Sequence, residues 1–214
     1  MKSQGAVLVL ADGRSFIGAS LGTLGTTSGE VVFTTGMSGY QETLTDPSFA
    51  EQIITFTYAH IGNCGVNEAD EESDRIYARG LIVRDPVEVP SNYRATDSLG
   101  SYLRSHRVVG IAGIDTRALT RHIRSKGAMP GLISSPYDAK SDYDGSELRA
   151  LEEKARGIAG MSGRDLAHEV SCKSPHSFVL SPEDEASDFR NIPLRVSPKK
   201  PKGFSVRSFW QLLN

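Results

Sequence analysis

The chain has 214 residues, about 1.4 domains at roughly 150 residues each, so it encodes one complete domain with an extra segment and can bury a sizeable core. Hydrophobic residues make up 38% and charged residues 23%, with 21 Gly and 10 Pro, a mix that excludes the disordered, collagen-like and coiled-coil classes. With 24 basic against 26 acidic side chains the net charge is -2, so the overall field points to neither nucleic acid nor a membrane surface.

The N-terminus has a single Lys and a short apolar run before Ala11-Asp12-Gly13, which is not the pattern of a signal peptide, an organelle leader or a membrane span. That run, AVLVL at 6–10, reads as a strand, and Asp12-Gly13 as the tight turn of a hairpin whose second strand is Ser15 to Leu21. The glycine-rich GTLGTTSGE at 22–30 reads as a flexible β-connection. EVVFTT from Glu30 and QIITFT from Gln52 are rich in β-branched and aromatic residues and predict two more strands. Between them GMSGYQETLTDPS reads as a short polar connection. After about residue 95 helices dominate. Asp97 is placed to cap a helix carrying Leu99, Tyr102 and Leu103, VVGIAGI at 108–114 suits a buried strand, and Asp115 caps a second helix. In that helix Ala118, Leu119, His122 and Ile123 share a face, and Gly127 stands where a left-handed stop belongs. Further helices are expected over Ser146 to Arg156, with Leu148, Leu151 and Ala155 inward, and over Ser162 to Val170.

Charge shifts abruptly near residue 190. Residues 190–214 carry Arg190, Arg195, Lys199, Lys200, Lys202 and Arg207 and no acid, which leaves 18 basic against 26 acidic residues in 1–189. With Pro193, Pro198 and Pro201 close together, this marks a boundary near 185–195 where a linker or a foreign tail begins.

No residue pattern by itself forms a catalytic set. Cys64 and Cys172 cannot make a disulfide framework or a zinc site, which favours a reducing, cytoplasmic setting. Cys64 lies four residues after His60, but a nucleophile also needs an orienting group and oxyanion donors, so a small buried thiol is the better reading. Glu68, Asp70, Glu71, Glu72 and Asp74 depart from the spacing of an EF-hand and read as a solvated turn or helix start, with Arg75, Arg79 and Arg84 near enough to neutralise them. The glycines at 22–30 match no phosphate-binding motif. His106, His122, His168 and His176 are scattered without metal-ligand spacing, and the tail offers only Phe204, Phe209 and Trp210 for stacking on bases.

Several blocks together resemble the N-terminal domain of the small, glutamine-hydrolysing subunit of carbamoyl-phosphate synthase. They are VLVLADGRSFIGASLG at 7–22, GEVVFTTGMSGYQETLTDPSFAEQIITFTYAHIGNCGVN at 29–67, DEESDRIYARGLIVRD, SNYRATDSLGSYL, VVGIAGIDTRALTRHIRSKGAMPG and GMSGRDLAHEVS at 160–171. Thr34 and Ala59 depart from the family's usual Asn and Pro. The resemblance, which covers about residues 5–172, implies an α+β domain over 1–172 of the swivelling β/β/α type, β-rich in its first half and helix-rich in its second, followed by a linker over 173–190 and a basic tail over 191–214. In the family this domain packs on the large synthetase subunit beside a class I amidotransferase domain. That second domain frees ammonia from glutamine through a Cys nucleophile in a GxCxGxQ elbow with a later His and Glu. The large subunit then uses two ATP, with a divalent metal, and bicarbonate to make carbamoyl phosphate for arginine and pyrimidine synthesis.

The elbow, His and Glu do not occur in these residues, and after about residue 190 the reading NIPLRVSPKKPKGFSVRSFWQLLN resembles no part of the amidotransferase start. A frameshift, a truncation and a lineage-specific extension all give such a tail. The expectation is that this chain docks on the large subunit but has no glutaminase activity alone, binds no cofactor, and meets glutamine only if an amidotransferase domain is supplied. The alternative is a non-catalytic module or inactive fragment that competes for the large subunit. One site residue carries over: Ser48, in DPSF, matches the family serine that reaches toward the glutamine pocket, where a hydroxyl can donate to or accept from a bound amino acid. Without the resemblance, Asp46-Pro47-Ser48 reads as a turn.

Overall fold

The computed structural model describes residues 4–142 and 144–171, and the chain divides into two units after Arg164. In the first unit the strands are β1 (Gly5–Leu10), β2 (Ser15–Gly22), β3 (Gly25–Thr34), β4 (Gln52–Phe56), β5 (His60–Ile61), β6 (Gly80–Ile82), β7 (Asp85–Pro86), β8 (Val109–Ala112) and β9 (Met129–Ser135). Its helices are α1 (Tyr40–Thr45), α2 (Leu99–Ser105), α3 (Thr116–Lys126) and α4 (Ser146–Arg156). Seven strands close into a barrel in the order β1-β2-β8-β6-β4-β3-β9, with β9 returning to β1, while β5 and β7 form a separate two-stranded sheet. Within the barrel β3, β4, β6 and β8 run parallel, and β1, β2 and β9 complete it antiparallel.

Strand alternation explains the continuous apolar runs. Ala6, Leu8 and Leu10 of β1 join Val31, Ile53, Ile82, Val109, Ile111 and Ile133 in one cluster, and Leu119 and Ile123 of α3 complete it. Six strands contribute alternate residues to this cluster and Phe16 of β2 packs on it, so it is the barrel interior. Val7 and Val9 face the opposite way and join Leu132, Tyr137, Leu151 and Ala155, which buries the outer surface of β1 and β9 under α4. Ile54, Phe56, Leu81, Val83 and Ala112 are likewise covered on the outside by Tyr40 and Leu44 of α1 and by Leu99, Tyr102 and Leu103 of α2. Strands buried on both faces need apolar residues at successive positions.

Local chemistry sets the ends. The β1–β2 hairpin closes with Gly13 at φ 89 and Asp12 Oδ1 accepting the Arg14 N–H at 3.1 Å. Asp115 caps α3 by accepting the Ala118 N–H, as its position predicts, whereas α2 is capped by Ser98, one residue after Asp97, whose carboxylate accepts the Ser98 N–H. Gly127 does end α3 at positive φ (94), but with ψ 159 it is not the expected left-handed residue. His122 of α3 does not join the apolar face: its Nε2 lies 2.6 Å from Asp12 Oδ2 and its Nδ1 accepts from Arg14 at 3.2 Å, tying the hairpin to the helix. The α2 stop is unusual. The Val108 N–H reaches the Leu103 carbonyl at 2.8 Å across Arg107, which has the left-handed conformation (φ 57) that ordinarily falls to glycine and that costs a side-chain-bearing residue on the order of 1 kcal/mol.

Three expectations are corrected. Much of the glycine-rich 22–30 segment is strand, because residues 25–31 pair with β9, and Gly29 lacks the Cβ that would meet the Glu51 carbonyl at 2.4 Å. The polar connection contains α1 and a 3-10 turn at Pro47–Phe49, since Tyr40 and Leu44 supply the apolar pair that a short helix needs to be held on the barrel. Helices do outweigh strands after residue 95, and β8 forms where a strand is expected, but β9 at 129–135 is an addition held by pairing with β1 and β3, and with it the barrel closes into a mixed α/β unit. In the second unit α5 spans Leu166–Val170, shorter than the expected Ser162 start; Asp165 is its N-cap and Gly163 is non-helical at φ 82. The expected linker, the basic tail, Cys172 and His176 lie outside the described residues.

Two buried tyrosines differ in one respect. The Tyr102 hydroxyl donates to Glu71 Oε1 at 3.0 Å, whereas that of Tyr40 lies near the Cys64 and Gly65 backbone but makes no hydrogen bond of good geometry. A buried unpaired hydroxyl costs about 1–3 kcal/mol, so Tyr40→Phe is expected to raise stability by about 1 kcal/mol and Tyr102→Phe to lower it by a similar amount, read as opposite shifts in urea midpoint. A second outcome concerns Glu51. Partial burial raises its carboxyl, but hydrogen bonds and charge attraction from Arg79 and Arg164 outweigh this and hold it below its ordinary 4.5. A depressed carboxyl stabilises the fold above its unfolded value and loses that contribution as pH falls through the folded one. Glu51→Gln should therefore cost about 1 kcal/mol or less at pH 7, given the exposed arginines, and the gap from the unaltered chain should shrink as pH falls below the ordinary carboxylate value of 4.5, read in thermal melts across that range.

Candidate functional site

Ser48 lies where α1 hands the chain to β4. The helix stops at Asp46, whose extended conformation (φ -68, ψ 121) suits a residue before proline. Pro47 opens the 3-10 turn with its φ already set, and Asp46 Oδ1 accepts the Ser48 N–H at 2.8 Å. The turn is thus made by the Asp46 carboxylate, and the exposed Ser48 hydroxyl takes no part in it. On its far side Phe49 packs against the cluster under α1 and α2, and Glu51 bonds Arg79 and Arg164. A hydroxyl on a short loop pinned at both ends can hydrogen-bond a ligand without first being ordered.

The acidic stretch is built into the same region as structure. Glu68–Asp70 form a 3-10 turn capped by Asn67, which also donates to Asp70 Oδ2 at 2.7 Å. Gln41 of α1 accepts the Asn67 N–H at 2.9 Å and donates to Glu71, while the Thr45 hydroxyl accepts the Glu72 N–H at 2.9 Å. Asp70 pairs with Arg94 at 2.5 Å. The expected neutralisation by Arg75, Arg79 and Arg84 does not occur: Arg75 lies over the Tyr77 ring, Arg79 pairs with Glu51 and Arg84 with Asp85. Among the described residues no group of three or more His, Cys, Asp or Glu could hold a metal ion.

Cys64 and His60 are not brought together as a nucleophile and base. His60 is exposed on β5, Cys64 is partly buried against the apolar cluster with its carbonyl accepting from Asn92 at 3.1 Å, and no hydrogen bond joins the two side chains. His106 stacks on Tyr102 with ring centroids 4.3 Å apart and bonds its carbonyl through Nδ1. The Gln41–Asn67–Glu71 brace and the Glu51–Arg79–Arg164 pairing were invisible to sequence reasoning, since both join segments far apart in the chain and follow no period. No helix among the described residues is long and apolar enough to cross a membrane.

The model of the family described as "Carbamoyl-phosphate synthase small chain, CPSase domain" matches residues 8–133, more than half of the chain. Among curated proteins the chain is similar to the carbamoyl phosphate synthase small chain of Escherichia coli O6:H1, at 49% identity over 174 residues, which are 81% of this chain and 44% of that protein. It is 48% identical over 185 residues to that of Syntrophotalea carbinolica, covering 86% and 47% of the two chains. Against that of Pseudomonas syringae pv. tomato it is 51% identical over 173 residues, 81% and 44%. The chain spans less than half the length of these relatives. Because the matched stretch runs from the first barrel strand into the last, and takes in the Ser48 turn on the way, the chain belongs to the carbamoyl-phosphate synthase small-chain family.

Proposed function

We propose that this chain supplies the N-terminal domain of the glutamine-hydrolysing small subunit of carbamoyl-phosphate synthase. On this reading it is a swivelling β/β/α-type module that docks on the large synthetase subunit in the cytoplasm and serves arginine and pyrimidine synthesis. The observation that carries the proposal is the family match across the whole barrel, at about half identity to proteins whose name is carbamoyl phosphate synthase small chain.

The chemistry divides among parts. An amidotransferase domain hydrolyses glutamine to glutamate and ammonia, and ATP with its divalent metal acts on the large subunit. This domain contributes Ser48, whose exposed hydroxyl, held on the Asp46 turn, donates to or accepts from the bound glutamine. The separation of Cys64 from His60 supports assigning glutamine hydrolysis to residues outside this domain.

Mixed with a carbamoyl-phosphate synthase large subunit, the 214-residue chain should co-elute in size-exclusion chromatography with light scattering. The complex should make carbamoyl phosphate from ammonia but not from glutamine. Separate elution at micromolar concentration contradicts docking, and glutamine-dependent synthesis that survives replacement of both cysteines contradicts the division of chemistry. In a chimera carrying a relative's amidotransferase domain, Ser48→Ala should raise the KM for glutamine about threefold to tenfold, the size of one hydrogen bond, and leave ammonia-dependent synthesis unchanged.

A further inference from the structure

A concave site of about 330 Å³ opens at the barrel end where the parallel strands β4, β6 and β8 begin. Its polar lining comes from Thr26, Thr27, Arg75, Arg79, His106 and Arg107, and its apolar lining from Ile76, Ala78, Val108 and Val109. No carboxylate among the described residues lines it. Glu51 neutralises Arg79 from the loop before β4, but neither Arg75 nor Arg107 is in an ion pair among the described residues. Two uncompensated guanidiniums in one concavity, with apolar walls, form an environment for an anion attached to a small organic body.

The donors are prearranged. The Arg75 guanidinium lies over the Tyr77 ring at 4.5 Å, which fixes its plane and leaves its N–H edge free. The hydrogen bond from His106 Nδ1 to the Tyr102 carbonyl, at 2.9 Å, fixes that ring and leaves Nε2 as an acceptor for a hydroxyl of the organic part. Thr27 gives its hydroxyl hydrogen to the Arg79 carbonyl at 2.7 Å and bolts the two walls together. Arg107, like Glu51, is a side-chain-bearing residue in the left-handed conformation; it stands at the α2 stop, where glycine would be free of strain, and it lines the cleft.

We propose that this cleft binds a phosphate monoester of a small polar metabolite, with Arg75 and Arg107 as bidentate donors to the phosphate oxygens and the apolar wall against the organic part. Guanidinium pairs suit a dianion with three oxygens better than a single carboxylate, and the volume lies within the range of small-molecule sites. The proposal does not depend on Ser48 or on docking.

The test is isothermal titration calorimetry of the 214-residue chain at low ionic strength with the phosphate monoester of ribose, inorganic phosphate, ribose and a hexaglutamate peptide. The expected result is saturable one-to-one binding of the ribose ester, weaker binding of phosphate and none of ribose. Equal binding of ester and phosphate also supports the anion site and makes free phosphate its source. Arg75→Gln and Arg107→Gly should each weaken binding at least about tenfold, while Arg84→Gln, outside the cleft, leaves it unchanged. Arg107→Gly should at the same time raise the melting temperature, so lost binding cannot be ascribed to misfolding. The proposal is overturned by no saturable heat from either phosphate probe, by affinities indifferent to Arg75 and Arg107, or by hexaglutamate binding more tightly than the ester, which would mark a protein-docking surface.

Discussion

Closure of the seven-stranded barrel is the constraint on which the rest of the first unit depends. A barrel closed from β1 round to β9 has no free edge strand, and each strand must bury side chains on its inner face and, where helices cover it, on its outer face too. The alternation of Leu8 and Leu10 inward with Val7 and Val9 outward is the smallest expression of that demand. Close approach adds another. A Cβ at Gly18 would meet the Ala112 carbonyl at 2.3 Å and one at Gly131 would meet Val31 at 2.7 Å, so the barrel can pack this tightly only where those strands carry no side chain.

The parallel half of the barrel decides where chemistry can gather. Parallel neighbours cannot be joined by a tight turn, so the chain must cross over between β3 and β4 and between β6 and β8, and it does so through α1 and α2 on the outer face. The segments leading into β4, β6 and β8 then meet at one end. They bring the Ser48 turn and Glu51, the Arg75 to Arg79 stretch, and His106 with Arg107, residues spread over some sixty positions of sequence. The Glu51–Arg79 pair links the first of these segments to the second. A phosphate cleft and an exposed serine at one barrel end are thus two uses of a single topological fact.

Polar groups near this end act mainly as braces. Gln41 and Thr45 reach from α1 to the 67–73 loop and accept its Asn67 and Glu72 N–H groups, while Asp70 is held by Asn67 and Arg94 and Glu71 by Gln41 and Tyr102. Packing and polar satisfaction conflict at one place, the Tyr40 hydroxyl, where the aromatic ring fills space against Phe56 with centroids 6.5 Å apart but its oxygen finds no partner.

Local chemistry was enough to read the Asp12-Gly13 hairpin, the Asp115 cap and the limits of the helix at 146–156, because turn residues, caps and a 3.6-residue period act within a few positions of themselves. Family motifs added the class of the chain, through residues whose order is specific even though no one of them is catalytic. What the tertiary structure alone decided lies across the chain. The strand character of residues 25–29 comes from pairing with β9 over a hundred positions away, and α1 exists because the barrel offers Tyr40 and Leu44 a surface. Arg75 and Arg107 become neighbours of one cleft only after β6 and β8 pair in register. Local patterns carry short-range energies, whereas closure, register and charge convergence depend on contacts between segments whose separation in sequence has no period to read.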